Sequence, residues 1–503
     1  MEIIWQLSLF LIPIFFVLTL LKPTSKKPNL PPGPPKLPII GNLHQLSSKK
    51  TPPHEVIENL AKVYGPIMHL RLGEVSAIVI SSPELAKAVL RTHDANFANR
   101  PEIMVGKYVY FDSSDIGLAP YGEYWRQVRK IATLELFTMR QVQSFRAVRE
   151  EETYNMAKSL ASMAAKGSVV NLTKVLFGLI FDITSRTVFN RKGTDQEAFR
   201  ALITWISQNH TGFAIADIFP SLKFLHSIGG TIKEMEMMVE EANKILDPII
   251  NHHKFSEKND QKEYLLDVLM KFHKDNVKNT SDFFLTTNNI KGIILEIFGA
   301  GSETSSLVIE WVMAELIKNP KAMEKAQYEV RKVQKDKGMV DESSLEELKF
   351  LKMVVKETMR LHPPAPFLVP RETIEHCQLQ GYDIPARTRV VVNARTIGRD
   401  PNYWSEGDKF KPERFEKTSV TYKGNDFEYI PFGAGRRICP GMGLANANIE
   451  LCVATLLYHF DWKLPNEMAP EDLNMDEVFG LSVRRKDELH VIPTLFENSC
   501  FKI

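Results

Sequence analysis

The eleven residues from Pro431 to Gly441, PFGAGRRICPG, constrain this chain more than any other stretch: they set one cysteine in a glycine-rich loop behind an aromatic residue and two arginines. Gly433, Gly435 and Gly441 allow tight turns whose N–H groups can point at the Cys439 sulfur and stabilise negative charge there. Phe432 can shield that sulfur from water. A shielded thiolate suits an axial ligand of haem iron, where its electron donation favours cleavage of the O–O bond of bound dioxygen. Arg437, two residues before the cysteine, is within reach of a haem propionate. An isolated cysteine is more often a buried structural residue; this context argues for the ligand.

The loop fits Phe-x-x-Gly-x-Arg-x-Cys-x-Gly at Phe432, Gly435, Arg437, Cys439 and Gly441. In this it resembles the cysteine signature of the cytochrome P-450 haem-thiolate monooxygenases, and the resemblance runs from the N-terminal segment to about residue 495. It implies a mainly α fold with small β-sheets, haem b as cofactor and dioxygen as co-substrate.

Bulk properties agree with one large body. The chain has 503 residues, of which 44% are hydrophobic and 25% charged, enough for a large core. Length alone suggests about three domains, yet nothing between residue 60 and the end reads as a linker. A net charge of +2 without a basic arm argues against nucleic acid. The four cysteines, Cys377, Cys439, Cys452 and Cys500, form no C-x-x-C pair, which fits neither a disulfide scaffold nor a zinc ribbon.

Residues 3–21 form an apolar run about long enough to cross a bilayer. A signal peptide is the competing reading, but Lys22, Lys26 and Lys27 follow the run and no small-residue cleavage site is evident. The positive-inside rule then leaves the body on the cytosolic face. Residues 22–38 are basic and proline-rich, a stiff extended spacer, and 39–503 form the expected catalytic domain. Membrane-bound members of the family have the same hinge, which implies a single-pass protein of the endoplasmic reticulum.

Strand-like runs are short: 67–72, 77–80 and 389–393. The longest helix candidate spans residues 287–317, and its middle holds Gly299, Ala300, Gly301, Ser302, Glu303 and Thr304. Each interior glycine costs about 1 kcal/mol relative to alanine, so something is expected to approach the backbone there. Ala300 and Thr304 share one helix face, the first giving space and the second a hydroxyl for dioxygen. Glu303 is placed about a hundred degrees round the helix to hold water for proton delivery. The plainer alternative has Thr304 bonding back to the Ala300 carbonyl and Glu303 solvated. The stretch is similar to the family's oxygen-activation motif, which implies catalytic roles for Thr304 and Glu303.

Glu357 and Arg360 lie three apart, as do Glu123 and Arg126, and either pair could be surface decoration. The later copy is followed by LHPPAP and by PERF at 412–415. The resemblance implies that Glu357, Arg360 and Arg414 form a buried triad. Trp125 and Arg129, four apart on a helix, could converge on one propionate. Family register adds Arg100 and Arg371, each of which could otherwise be a surface arginine.

No flavin or nicotinamide fingerprint is present. The resemblance implies electrons from NADPH through a cytochrome P-450 reductase, with cytochrome b5 as a second donor, docking near Arg126, Lys130, Lys352, Lys356 and Arg436. An ordinary solvated face is the alternative. The chain looks like the large plant microsomal group that oxidises terpenoids, alkaloids and phenolics. By analogy Phe111, Phe213, Ala300, Val369 and Phe479 would line an apolar substrate pocket, although core is the commoner fate of phenylalanine. Oxidative ring closure, coupling or desaturation without oxygen insertion stays open, as does a non-enzymatic haem sensor.

Overall fold

The computed structural model describes residues 28–47, 51–190, 196–209, 215–222, 230–255, 263–274, 283–334 and 338–501. The apolar run at 3–21, the first part of the hinge and Phe213 lie outside the described residues. The rest of the proline-rich stretch is extended, and it is docked on the body. The His69 N–H donates to the Pro32 carbonyl at 2.8 Å, and the Asn42 side chain donates to Pro34 and Pro35.

Helices dominate. Those that frame the site are α1 (Glu123–Ile131), α2 (Arg146–Ala165), α3 (Leu172–Phe189), α4 (Thr287–Lys318), α5 (Lys349–Leu361) and α6 (Met442–His459). A four-stranded sheet runs in the order Ile67–Leu72, Val75–Ile80, Arg389–Val392, Arg371–Glu372. Its outer pairs are antiparallel and its central pair parallel. The three strands expected from sequence are all present.

The axis of the molecule is α4. Thr286 caps it by accepting the Asn289 N–H at 3.1 Å, while the Asn289 side chain accepts the Thr286 N–H at 2.8 Å. Its first half, from Ile290 to Phe298, belongs to one apolar core with Phe181, Phe199 and Ile203. Its last part, from Val308 to Ile317, belongs to another with α2, α3, α5 and α6. Because it is surrounded, α4 is largely apolar; among the described residues it alone is long and apolar enough to cross a membrane, yet 72% of its most apolar window is buried. Between the two cores lie residues 299–307, GAGSETSSL, too small and polar to fill the space beside them. A cavity opens there.

Candidate active site

The cavity has a volume of about 280 Å³, and Cys439, Ala300, Gly301 and Thr304 all line it. Sequence separates the cysteine from the helix by well over a hundred residues; the fold brings them to one space.

On one side is the cysteine loop. Gly435 has φ +71°, and a Cβ there would collide with the Leu90 carbonyl oxygen, so only glycine fits. Gly433, at φ +72°, also needs left-handed backbone. Gly441 departs from expectation: its φ is −84° and it has open space around it. It serves instead through its N–H, which with that of Met442 hydrogen-bonds the Cys439 sulfur. Burial pushes the Cys439 thiol up, and those two N–H groups and the Arg129 charge oppose the shift. Phe432 lines the cavity and packs edge-on against Tyr422 at 5.4 Å.

On the other side is α4. The Thr304 hydroxyl donates to the Ala300 carbonyl at 2.7 Å, the back-bonded arrangement of the plainer reading, while both residues still face the cavity. Glu303 is half-buried and is not among the lining residues. The two glycines have different reasons: the Tyr110 hydroxyl lies 3.6 Å from where a Cβ of Gly299 would stand, and Gly301 faces open cavity.

Four guanidiniums, those of Arg100, Arg129, Arg371 and Arg437, reach the cavity. Arg371 pairs with Asp94 at 2.7 Å. Arg437 donates to the Ala98, Ile116 and Ala119 carbonyls. Arg100 donates to Gly117, Val369 and Pro370. Burial, then the charges of Arg437 and Arg371, push Arg100 well below its ordinary range; burial and Arg371 bring Arg437 down to about 9. Arginine does not give up its proton in proteins, so the crowding marks a place that favours an anion. A dianionic haem with a sulfur ligand fits this donor set: a thiolate cradled by N–H groups, four cations beside it, and a helix wall of small residues. The Trp125 indole N–H donates to the Ile116 carbonyl at 3.0 Å, and the residue is not among those that line the cavity. Its ring lies 4.1 Å from the Arg437 guanidinium, which it braces from behind.

A family model described as Cytochrome P450 matches residues 31–490. The chain belongs to the cytochrome P450 family. Desmethyl-deoxy-podophyllotoxin synthase of Sinopodophyllum hexandrum is 49% identical over 97% of this chain and 96% of that protein. Tabersonine 16-hydroxylase 1 of Catharanthus roseus is 48% identical, over 94% and 93%. Tabersonine 6,7-epoxidase isoform 1 of the same plant is 47% identical over the full length of both. A solved zebra fish cytochrome P450 with progesterone superimposes with a TM-score of 0.75 at 25% identity, covering 89% of this chain and 100% of that one. As a member of this family the protein is an oxidoreductase, a monooxygenase that uses haem iron and dioxygen with electrons passed from NADPH by a reductase.

In this cytochrome P450 the two Glu-x-x-Arg pairs separate cleanly. Glu123 and Arg126 are solvent-exposed. Glu357 and Arg360 are fully buried, bridged twice at 2.7 and 2.8 Å, and Arg414 adds a bond to Glu357 at 2.9 Å. Arg360 also donates to the carbonyls of Gly398, Gly407 and Lys409.

Of the apolar residues assigned to the pocket by analogy, Val369 and Ala300 line it. Phe111 does not: its ring packs on the α4 core with the Lys291 ammonium 5.8 Å from its centre. Nor does Phe479, which stacks on His54 at 5.9 Å and meets Phe367 edge-on at 5.7 Å. Phe137, Thr184, Leu368 and Glu296 line the cavity and were missed. Glu296 had a signal, an acid four residues before Ala300 inside the apolar run IILEIF. Of the basic residues that the resemblance assigns to reductase docking, Arg126, Lys130 and Arg436 are exposed and Lys352 pairs with Glu346 at 2.6 Å.

Proposed function

We propose that this cytochrome P450 inserts one atom of dioxygen into an apolar plant specialised metabolite, a terpenoid, alkaloid or phenolic, the other atom leaving as water. The observation that carries the reading is that Cys439, the four arginines and the Ala300–Thr304 wall line one cavity whose remaining walls are largely apolar. Relatives named as a hydroxylase and an epoxidase of tabersonine support oxygen insertion.

Bound haem supplies dioxygen activation and one-electron chemistry. Cys439 would hold its iron, with the N–H groups of Gly441 and Met442 stabilising charge on sulfur. Arg100, Arg129, Arg371 and Arg437 would hold the propionates. Thr304 offers its hydroxyl oxygen at the cavity wall, and the neighbouring Glu303 would return protons to it from the solvent side. Ala300 and Gly301 leave room for substrate beside that hydroxyl. Phe432 and the apolar lining keep water from the sulfur. We further infer a single-pass anchor at 3–21 in the endoplasmic reticulum membrane, with a reductase and cytochrome b5 docking on the cysteine side.

The test is co-expression with a plant reductase in microsomes and mass analysis of pooled metabolites with and without NADPH. A product heavier by one oxygen is expected. Loss of two hydrogens with no added oxygen would replace this reading with ring closure, coupling or desaturation. Cys439→Ala should abolish the thiolate-type carbon monoxide spectrum, and its persistence would remove the haem-thiolate assignment.

A further inference from the structure

Gly292 and Gly299 lie seven apart in α4 and so share one stripe of the helix, and a single residue of the loop before α1 lies against both. The Tyr110 carbonyl oxygen is 3.4 Å from where a Cβ of Gly292 would stand, and the Tyr110 hydroxyl is 3.6 Å from where one of Gly299 would stand. The side chain therefore runs along α4 in a groove that the two glycines leave, a span of about 10 Å at the helix rise. Tyr110 is 3% exposed, and its ring belongs to the core built on the first half of α4. The backbone lays it there: the Ser114 N–H donates to the Tyr110 carbonyl at 2.8 Å, and the three left-handed residues Phe111, Asp112 and Ser113 follow directly. Neither Tyr110 nor Gly299 lines the cavity.

The hydroxyl ends where an acid can meet it. Glu303 stands one turn beyond Gly299 on the same stripe of α4. Helical side chains lean back over the turn N-terminal to their own Cα. That turn carries no side chain at Gly299, so the Glu303 carboxyl has room to lie beside the Tyr110 hydroxyl. Glu303 is half-buried and keeps a side open to solvent, while its neighbour Thr304 faces the cavity. Burial, then the charges of Asp115, Glu296 and Glu303, hold Tyr110 well above the ordinary range of a phenol. It keeps its O–H and can donate it. Two cations of this region are engaged elsewhere: Arg100 on the carbonyls of Gly117, Val369 and Pro370, and Lys291 on Asp247 at 2.6 Å and Asn243 at 2.7 Å.

We propose that Tyr110 is a positioning residue for proton delivery: its hydroxyl donates to the Glu303 carboxylate and holds it over Gly299, next to the cavity-facing Thr304. The inference rests on the monooxygenase reading above. Protons arriving from solvent are then taken up by a carboxylate at a fixed place, rather than by one that swings on the surface of α4.

The test is a pH titration of the full-length haem-loaded protein in detergent by infrared difference spectroscopy, with the Glu303 carboxyl band assigned by its absence from Glu303→Gln. A donated hydrogen bond favours the charged carboxylate. Tyr110→Phe, which removes only the hydroxyl, should therefore raise the Glu303 midpoint by about one to two units, a gain of about 10- to 100-fold in proton affinity. Tyr124→Phe is the control. Its half-buried phenol also feels Asp115 and Glu296, but it donates to the Ser114 carbonyl at 2.7 Å, so its loss should leave the midpoint in place. An unmoved midpoint in Tyr110→Phe, or equal movement in both variants, would overturn the proposal, the second by showing a loosened core. In the microsomal assay, peroxide released per NADPH consumed should rise in Tyr110→Phe as in Glu303→Gln. A rise in Glu303→Gln alone, or in neither, would overturn the role in delivery. The carbon monoxide spectrum of each sample reports the haem-thiolate reading separately, so failure of that reading and failure of the Tyr110 contact are told apart.

Discussion

Replacing Glu357 with glutamine changes one atom and tests the structural centre behind the site. Glu357 and Arg360 are both fully buried. The carboxylate accepts two bonds from Arg360, one from Arg414 and one from the Lys411 N–H at 2.8 Å. In Glu357→Gln the amide nitrogen must face one of these donors, and the Arg360 charge loses its counter-ion in a place that water does not reach. Removing one partner of a buried ion pair costs about 3 to 5 kcal/mol. The three carbonyls around Arg360 still accept its N–H groups, which favours the lower end of that range. Urea unfolding of the full-length protein, followed by tryptophan fluorescence, would read the loss as a fall in unfolding free energy, with haem dissociating at lower urea. Glu123→Gln, the same change in the exposed copy of the motif, should leave the midpoint unchanged. Equal effects from the two substitutions, or no effect from Glu357→Gln, would refute the argument from burial.

Gly435→Ala should prevent haem incorporation, because its Cβ has no space beside Leu90, whereas Gly441→Ala should load haem normally; absorption spectra of the two expressed proteins decide this. Thr304→Ala should retain haem but lower product formed per NADPH consumed by about 10-fold, and Thr304→Ser should keep most of the coupling, checked by product and peroxide assays. Glu450 is raised from 4.5 to about 7, chiefly by burial. Its folded-state pKa lies above its unfolded value, so the stability it contributes is present below pH 4.5 and is lost as pH rises through about 7. Glu450→Gln should therefore stabilise the fold by up to about 3 kcal/mol at pH 8 and have no such effect at pH 4.5, measured by urea titration at both.

What could be read from the sequence was local chemistry, and what could not was tertiary. The cysteine loop was legible because ligand, glycines and arginine sit within eleven residues, and the α4 wall because helix periodicity alone puts Ala300 beside Thr304. Periodicity does not reveal the partner of Trp125: the same face that carries Arg129 into the cavity brings the indole to the Ile116 carbonyl. It could not rank the two Glu-x-x-Arg pairs either, since the carbonyls that receive Arg360 arrive 38 to 49 residues later. The loop before α1 was the least legible. Phe111, Asp112 and Ser113 take φ of 48°, 60° and 56° in succession, conformations that cost L-residues about 1 to 2 kcal/mol each and that no glycine announces. That cost is sustained from outside the loop and just beyond it. Asp115 accepts the Leu118 and Ala119 N–H groups, and Glu296, 180 residues away, accepts that of Ile116. The turn points Phe111 away from the cavity and presents the carbonyls of Ile116, Gly117 and Ala119 to Trp125, Arg100 and Arg437. The acid inside IILEIF is thus the piece of sequence that decides where two of the four cavity cations stand. Its partner is a backbone, which leaves no mark on residue identity.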